Sequence, residues 1–142
     1  MEKVVFISDF FADEISGGAE IYDEVLVQEL RLQGVKVCKF KSQEFTKKHF
    51  YLYEKCNFNF IISNFVMLAE DVKKLFTIYG DRYCILEHDH KYLKNRNPSV
   101  FNGYRAPDQF IINRQFYKSA KQVFCQSVKH AEVLSNNLGI TN

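Results

Sequence analysis

Five short runs of almost unbroken apolar residues, each followed by a longer stretch of mixed character, constrain this chain more than any other feature of its sequence. The runs cover residues 3–8, 35–40, 58–63, 82–87 and 122–126 and are rich in β-branched, aromatic and cysteine side chains. A strand with one wet face alternates apolar and polar positions, whereas a strand covered on both faces reads as continuous apolar sequence. Between the runs the apolar spacing changes to the helical period, so strand and helix alternate five times. This order predicts the α/β class, as an open, Rossmann-like parallel sheet of about five strands with helices on both faces. The 142 residues suit a single such domain, because cores of this kind commonly serve about 100–150 residues.

Ala19, Tyr22, Val25, Leu26 and Leu30 form the inward stripe expected of the first helix, and Gly34 stops it. Leu68, Val72, Leu75, Phe76 and Tyr79 make a second stripe before Gly80, and Val128, Ala131, Leu134 and Leu138 make a third before Gly139. A shorter helix is expected within residues 43–55, with Phe45, Phe50 and Tyr53 inward, and another from Asp108 to about residue 119.

Lys and Arg number 19 against 17 Asp and Glu, a net charge of +2, which is too even for a surface dedicated to nucleic acid. No apolar run approaches the roughly 20 residues that span a bilayer, so membrane contact is expected to be peripheral at most. The first residues lack the apolar segment of a secretory signal, so the expected location is the cytoplasm. Cys38, Cys56, Cys84 and Cys125 form no C-x-x-C pair and are expected to be reduced, three of them in strands, with no metal site.

In parallel α/β sheets the ligand crevice lies beyond the carboxyl ends of the strands. The loops after the first and fourth runs, residues 9–18 and 88–107, are unusually long there. Ser16-Gly17-Gly18-Ala19-Glu20 opens the first helix, where free backbone N–H groups and the helix dipole favour an anion and two absent side chains admit it closely. A plain tight turn explains the same glycines equally well. Neither the dinucleotide fingerprint nor a P-loop fits this segment. The fourth run ends Glu87-His88-Asp89-His90, which places imidazole and carboxylate at the sheet edge. Such a histidine can bond a substrate hydroxyl, join a metal site, or simply begin a solvated loop. Lys91, Lys94, Arg96 and Arg105, interleaved with aromatic residues, suit an anionic glycan, a lipid phosphate, a protein or plain solvation. Phe10 and Phe11 suit a sugar face or the edge of the core.

Three segments resemble a known family in order and spacing: residues 4–8 with Gly17-Gly18-Ala19-Glu20 and the helix ending at Gly34; His88-Asp89 after the fourth run; and residues 123–127 with Lys129-His130 and Leu138-Gly139-Ile140. Together they resemble the N-terminal, acceptor-side domain of family 4-like GT-B glycosyltransferases, over nearly the whole chain. The resemblance implies one half of a GT-B fold and sugar transfer with retention, from a nucleotide-sugar donor to a sugar or lipid-linked acceptor, with no metal and no other cofactor. It implies that Gly17 and Gly18 approach the donor diphosphate or the reacting sugar and that His88 contacts the transferred sugar as the catalytic group. From the chemistry of the strand end and the loop after it, Asp89 and Arg105 are expected to help bind substrate. The paired glutamates of the family's donor domain have no counterpart among these residues. The C-terminal donor-binding domain is therefore expected to be absent and the chain to be inactive without one, whether it is a fragment, a truncated gene product or a subunit whose donor domain a separate polypeptide supplies. A non-catalytic glycan- or protein-binding module with the same fold is the alternative.

Overall fold

Each apolar run becomes a strand. The computed structural model describes residues 2–142, with strands β1 (Lys3–Ser8), β2 (Lys36–Lys41), β3 (Asn59–Ile62), β4 (Tyr83–Glu87) and β5 (Gln122–Cys125). The helices are α1 (Gly18–Leu32), α2 (Lys47–Lys55), α3 (Glu70–Ile78), α4 (Arg114–Ser119) and α5 (Val128–Leu138). All five strands pair in parallel, in the order β2-β1-β3-β4-β5. The chain thus leaves β1 toward one edge and returns beyond it as β3, which parts the loops following these two strands and opens a crevice between them.

Helices cover both faces, but unequally. Val5 and Ile7 of β1 point into a large cluster that receives Phe50 of α2, Phe76 of α3, Phe116 of α4 and Leu134 of α5. Phe6, between them, points to the other face, where α1 alone contributes Val27 to a small cluster with Phe11, Val37 and Leu86. The large cluster is dominated by aromatic rings. Phe76 alone lies within 5.0–6.4 Å, centroid to centroid, of Phe45, Phe50, Phe60, Tyr83 and Phe116.

Helix ends follow local chemistry. Gly34, at φ +85°, closes α1 with Gly34 N–H on Arg31 O and Val35 N–H on Leu30 O, a left-handed turn that costs a residue without Cβ little. Thr46 and His49 exchange a reciprocal cap at the start of α2, with Phe45 and Phe50 buried beside it as expected.

Three expectations need correction. Val128, the first residue of α5, is exposed and lies outside its inward face, which Val133, Leu134 and Leu138 form. In α1, Tyr22 and Val25 are exposed, and the inward face is instead Asp23, Leu26, Val27 and Leu30. A helix lying on one face of a sheet, with solvent on its other side, cannot bury apolar residues on both. Residues 108–119 do not form one helix, because Asn113 adopts the left-handed conformation at φ 57° and divides a short turn at Asp108–Phe110 from α4. The long segment after β4 is also more ordered than a bare loop. Leu93 pairs with Ile111 in an antiparallel bridge, while Tyr92 and Leu93 are fully buried. Among the described residues, no helix is long and apolar enough to cross a membrane.

Candidate functional site

The carboxyl ends of β1, β3, β4 and β5 and the start of α1 enclose a cleft of about 790 Å³, a size that suits a sugar nucleotide or a comparable ligand. Gly18, His88 and Asp89 all line it. Gly17 is the neighbouring N-cap of α1, extended at φ −80°, ψ 164°. Asp9, at the end of β1, accepts from the backbone N–H groups of Val66 and Met67 at 3.0 Å each, which fixes the loop after β3 as the opposite wall. Phe10 lies in the cleft, whereas Phe11 belongs to the core under the Lys39 ammonium.

The beginning of α1 is bare in a way the fold does not require. Its first internal acceptor, Gly17 O, takes the N–H of Ile21, and no side chain caps the N–H groups ahead of it. By contrast, α5 has Ser127 accepting from His130 N–H. Gly18 lies outside the left-handed region, and a Cβ built on it would meet nothing within 4 Å. A Cβ on Gly17 would meet only the tip of the flexible Glu20 side chain. Alanine at position 18 would therefore fit and would favour the helix. Glycine there leaves the uncapped amides of Gly18, Ala19 and Glu20 and the positive end of a helix dipole at the cleft wall, beside the Glu20 carboxylate that lines it too.

His88 lines the same cleft, packed against α1 with its side chain 5% exposed. Its Nε2 lies 3.3 Å from Oδ1 of Asp23, which is fully buried and also accepts from Ser63 Oγ at 2.9 Å. Nε2 therefore carries the proton donated to this carboxylate, and Nδ1 faces the exposed Gln126 amide as an acceptor. The Tyr22 ring meets the imidazole edge-on at 5.5 Å. This arrangement ties His88 to folding, because its removal would strand a buried carboxylate whose Oδ2 already lacks a partner. Sequence reasoning missed Asp23, although a charged residue in the middle of an inward helical stripe was the available signal.

Asp89 is engaged by two cations, the nearly buried Lys91 and, at 3.2 Å, Arg96. Glu87, also missed, ends the apolar β4 run and is 1% exposed. It accepts from the Tyr117 hydroxyl and from Asp89 N–H at 2.9 Å. Burial, reinforced by the Glu87 charge, holds the Tyr117 hydroxyl well above its usual pKa. The same two causes push the Cys125 thiol at the cleft floor up to about 11, so it is no thiolate nucleophile at neutral pH. Arg105 does not line the cleft. Its neighbours Tyr104 and Ala106 are bonded through their backbones to Asn137, about 15 Å along α5 from the Ser127 end. Among the described residues, no three His, Cys, Asp or Glu side chains converge as metal ligands.

Beside the cleft, the rings of His90 and His130 stack at 4.0 Å. Burial lowers the pKa of both, and the partner's charge lowers that of His90 further, while His88 does the same to His130. Glu87 and Asp89 oppose this only in part for His90, and Asp89 for His130. An unfolded histidine takes up its proton near pH 6.5, so below that value the unfolded chain binds more protons than the folded one and stability falls with pH. The melting temperature should therefore drop from pH 6.5 downward to the lowered folded values, and His130→Gln should flatten this slope in a calorimetric pH series. No protein-family model, curated protein or solved structure matches this chain.

Proposed function

We propose that this chain is the acceptor-side half of a cytoplasmic, retaining sugar transferase that uses a nucleotide-sugar donor. The observation carrying this reading is the uncapped amide lip at Gly18, lining one cleft together with an imidazole held by a buried carboxylate. Amides of this kind suit a diphosphate or the developing negative charge on a leaving phosphate. With its proton directed at Asp23, His88 offers the Nδ1 lone pair to a sugar hydroxyl that displaces the Gln126 amide. The remaining groups that stabilise the leaving nucleotide would come from a donor domain, in this or another polypeptide. That both ring nitrogens of His88 are engaged inside the fold favours a second reading, a glycan-binding module that performs no chemistry.

The test is a panel of labelled nucleotide-sugars offered to the purified chain, alone and together with polypeptides encoded beside it. Amide shifts at Gly18 and Ala19 on adding donor, followed by transfer once a donor domain is present, are the expected result. Donor binding elsewhere on the surface, or a fully assembled pair that transfers nothing, would defeat the proposal.

A further inference from the structure

A second hollow of about 590 Å³ adjoins the main cleft through Val66, Lys91 and Arg96, which line both. Four cations, Lys73, Lys91, Lys94 and Arg96, line this hollow against the single carboxylate of Glu70, although the whole chain carries a net charge of only +2. Two of these cations are withdrawn from water, the Lys91 side chain being 3% and the Lys73 side chain 10% exposed. Their ammonium groups lie 5.8 and 5.6 Å from the centroid of the same ring, the buried Phe65.

Lysine is seldom buried unless its charge is matched. The Glu70 carboxylate 2.9 Å from Lys73 sits on a side chain 76% exposed, so water screens it. The other contact of Lys73, Asn113 Oδ1 at 3.4 Å, is neutral. Lys91 shares Asp89 with Arg96. Asn113 makes the arrangement rigid. Held in the left-handed conformation, it donates through Nδ2 to Lys91 O and accepts from Lys73 through Oδ1. The result is a preformed cationic hollow with an aromatic floor and an apolar wall at Leu93 and Ile112.

From this geometry we infer that the hollow binds a phosphate monoester carried by the acceptor. The inference rests on the transferase reading for the word acceptor, but not for the phosphate. A phosphate brings the double charge and three acceptor oxygens that two ammonium groups and a guanidinium can share. With its phosphate anchored there, the remainder of the ligand lies along Val66 toward His88.

The test is calorimetric and NMR titration of the isolated 142-residue chain with inorganic phosphate, a hexose monophosphate, the unphosphorylated hexose, and phosphatidylcholine vesicles with and without phosphatidic acid. The expected result is that phosphorylated ligands bind and shift the Phe65 and Asn113 amides, and that the neutral hexose does not. Preference for the hexose phosphate over the acidic vesicles identifies a small acceptor, and the reverse preference identifies a lipid phosphate. Lys73→Met, which keeps the buried stem, should weaken phosphate binding at least about tenfold, the worth of one charge-assisted hydrogen bond. Lys94→Met provides a solvent-side variant that spares the core and should weaken it less. Equal binding of phosphorylated and neutral hexose, or affinity unchanged in both variants, would overturn the inference. Because no nucleotide-sugar is present in this titration, it reads the phosphate site independently of transfer. Phosphate binding here, combined with an assembled pair that transfers nothing when donor is supplied, would refute the transferase reading alone. Transfer to neutral acceptors that is indifferent to Lys73→Met would refute the phosphate site alone.

Discussion

Gly18→Val should abolish sugar transfer while leaving the melting temperature within a few degrees of the parent. The two halves of this expectation come from separate observations. A Cβ at position 18 enters open space and the backbone there is not left-handed, so the folded state accepts a side chain, and a surface change of this type usually costs within about 0.5–1 kcal/mol. The same Cβ and its two methyl groups would stand in front of the uncapped α1 amides, holding any phosphate or sugar oxygen beyond hydrogen-bond reach. Gly18→Ala should fall between the two, with weakened donor binding and a slightly firmer helix. Titration of donor into each variant, alongside thermal melts, separates the effects. Full donor affinity in the valine variant would show that the bare helix start has no ligand. His88→Ala is a poorer probe, because it also orphans Asp23 in the interior and so mixes lost function with lost stability.

Phe76→Ala should destabilise the domain by about 4 kcal/mol, within the 3–5 kcal/mol range of buried phenylalanine truncations. Phe76 is fully buried and its ring contacts five others contributed by β3, β4, α2, α4 and the turn before α2. Those neighbours are themselves bulky rings wedged against one another, so the space left behind cannot close easily. Against a total stability of roughly 5–15 kcal/mol, this loss would remove between about a quarter and four-fifths of the margin, measurable as a large fall of the urea midpoint. Phe124→Ala offers the contrast. That ring is 48% exposed on the edge strand, and its loss should move the midpoint little.

The five strands and their alternation with helices were legible because helices cover both faces of the sheet, which turns each strand into a nearly continuous apolar run; the order of the strands in the sheet was not. Helix faces were less so. In α1, Val25 and Tyr22 share the helical period with Leu26 and Leu30, and periodicity alone does not say which of two apolar stripes meets the sheet. The break at Asn113 was hidden for another reason. A left-handed asparagine leaves no mark in a pattern of apolar spacing, and its position here depends on bonds to Lys91 and Lys73 from distant parts of the chain. Gly18, His88 and Asp89 were brought together as anticipated because parallel topology gathers strand ends at one edge. Arg105 was not, since a loop's charge says nothing about where tertiary contacts such as those to Asn137 will carry it.

One helix has a double duty that follows from the unequal layering. Helix α1 presents the bare amides at its start and, one turn later, the Asp23 carboxylate that aims the His88 ring. It rests on the smaller of the two apolar clusters, apart from the aromatic mass that carries most of the cohesion. A shift of α1 would therefore move the amide lip and the Asp23 partner of the imidazole together, while His88 itself stays with the end of β4.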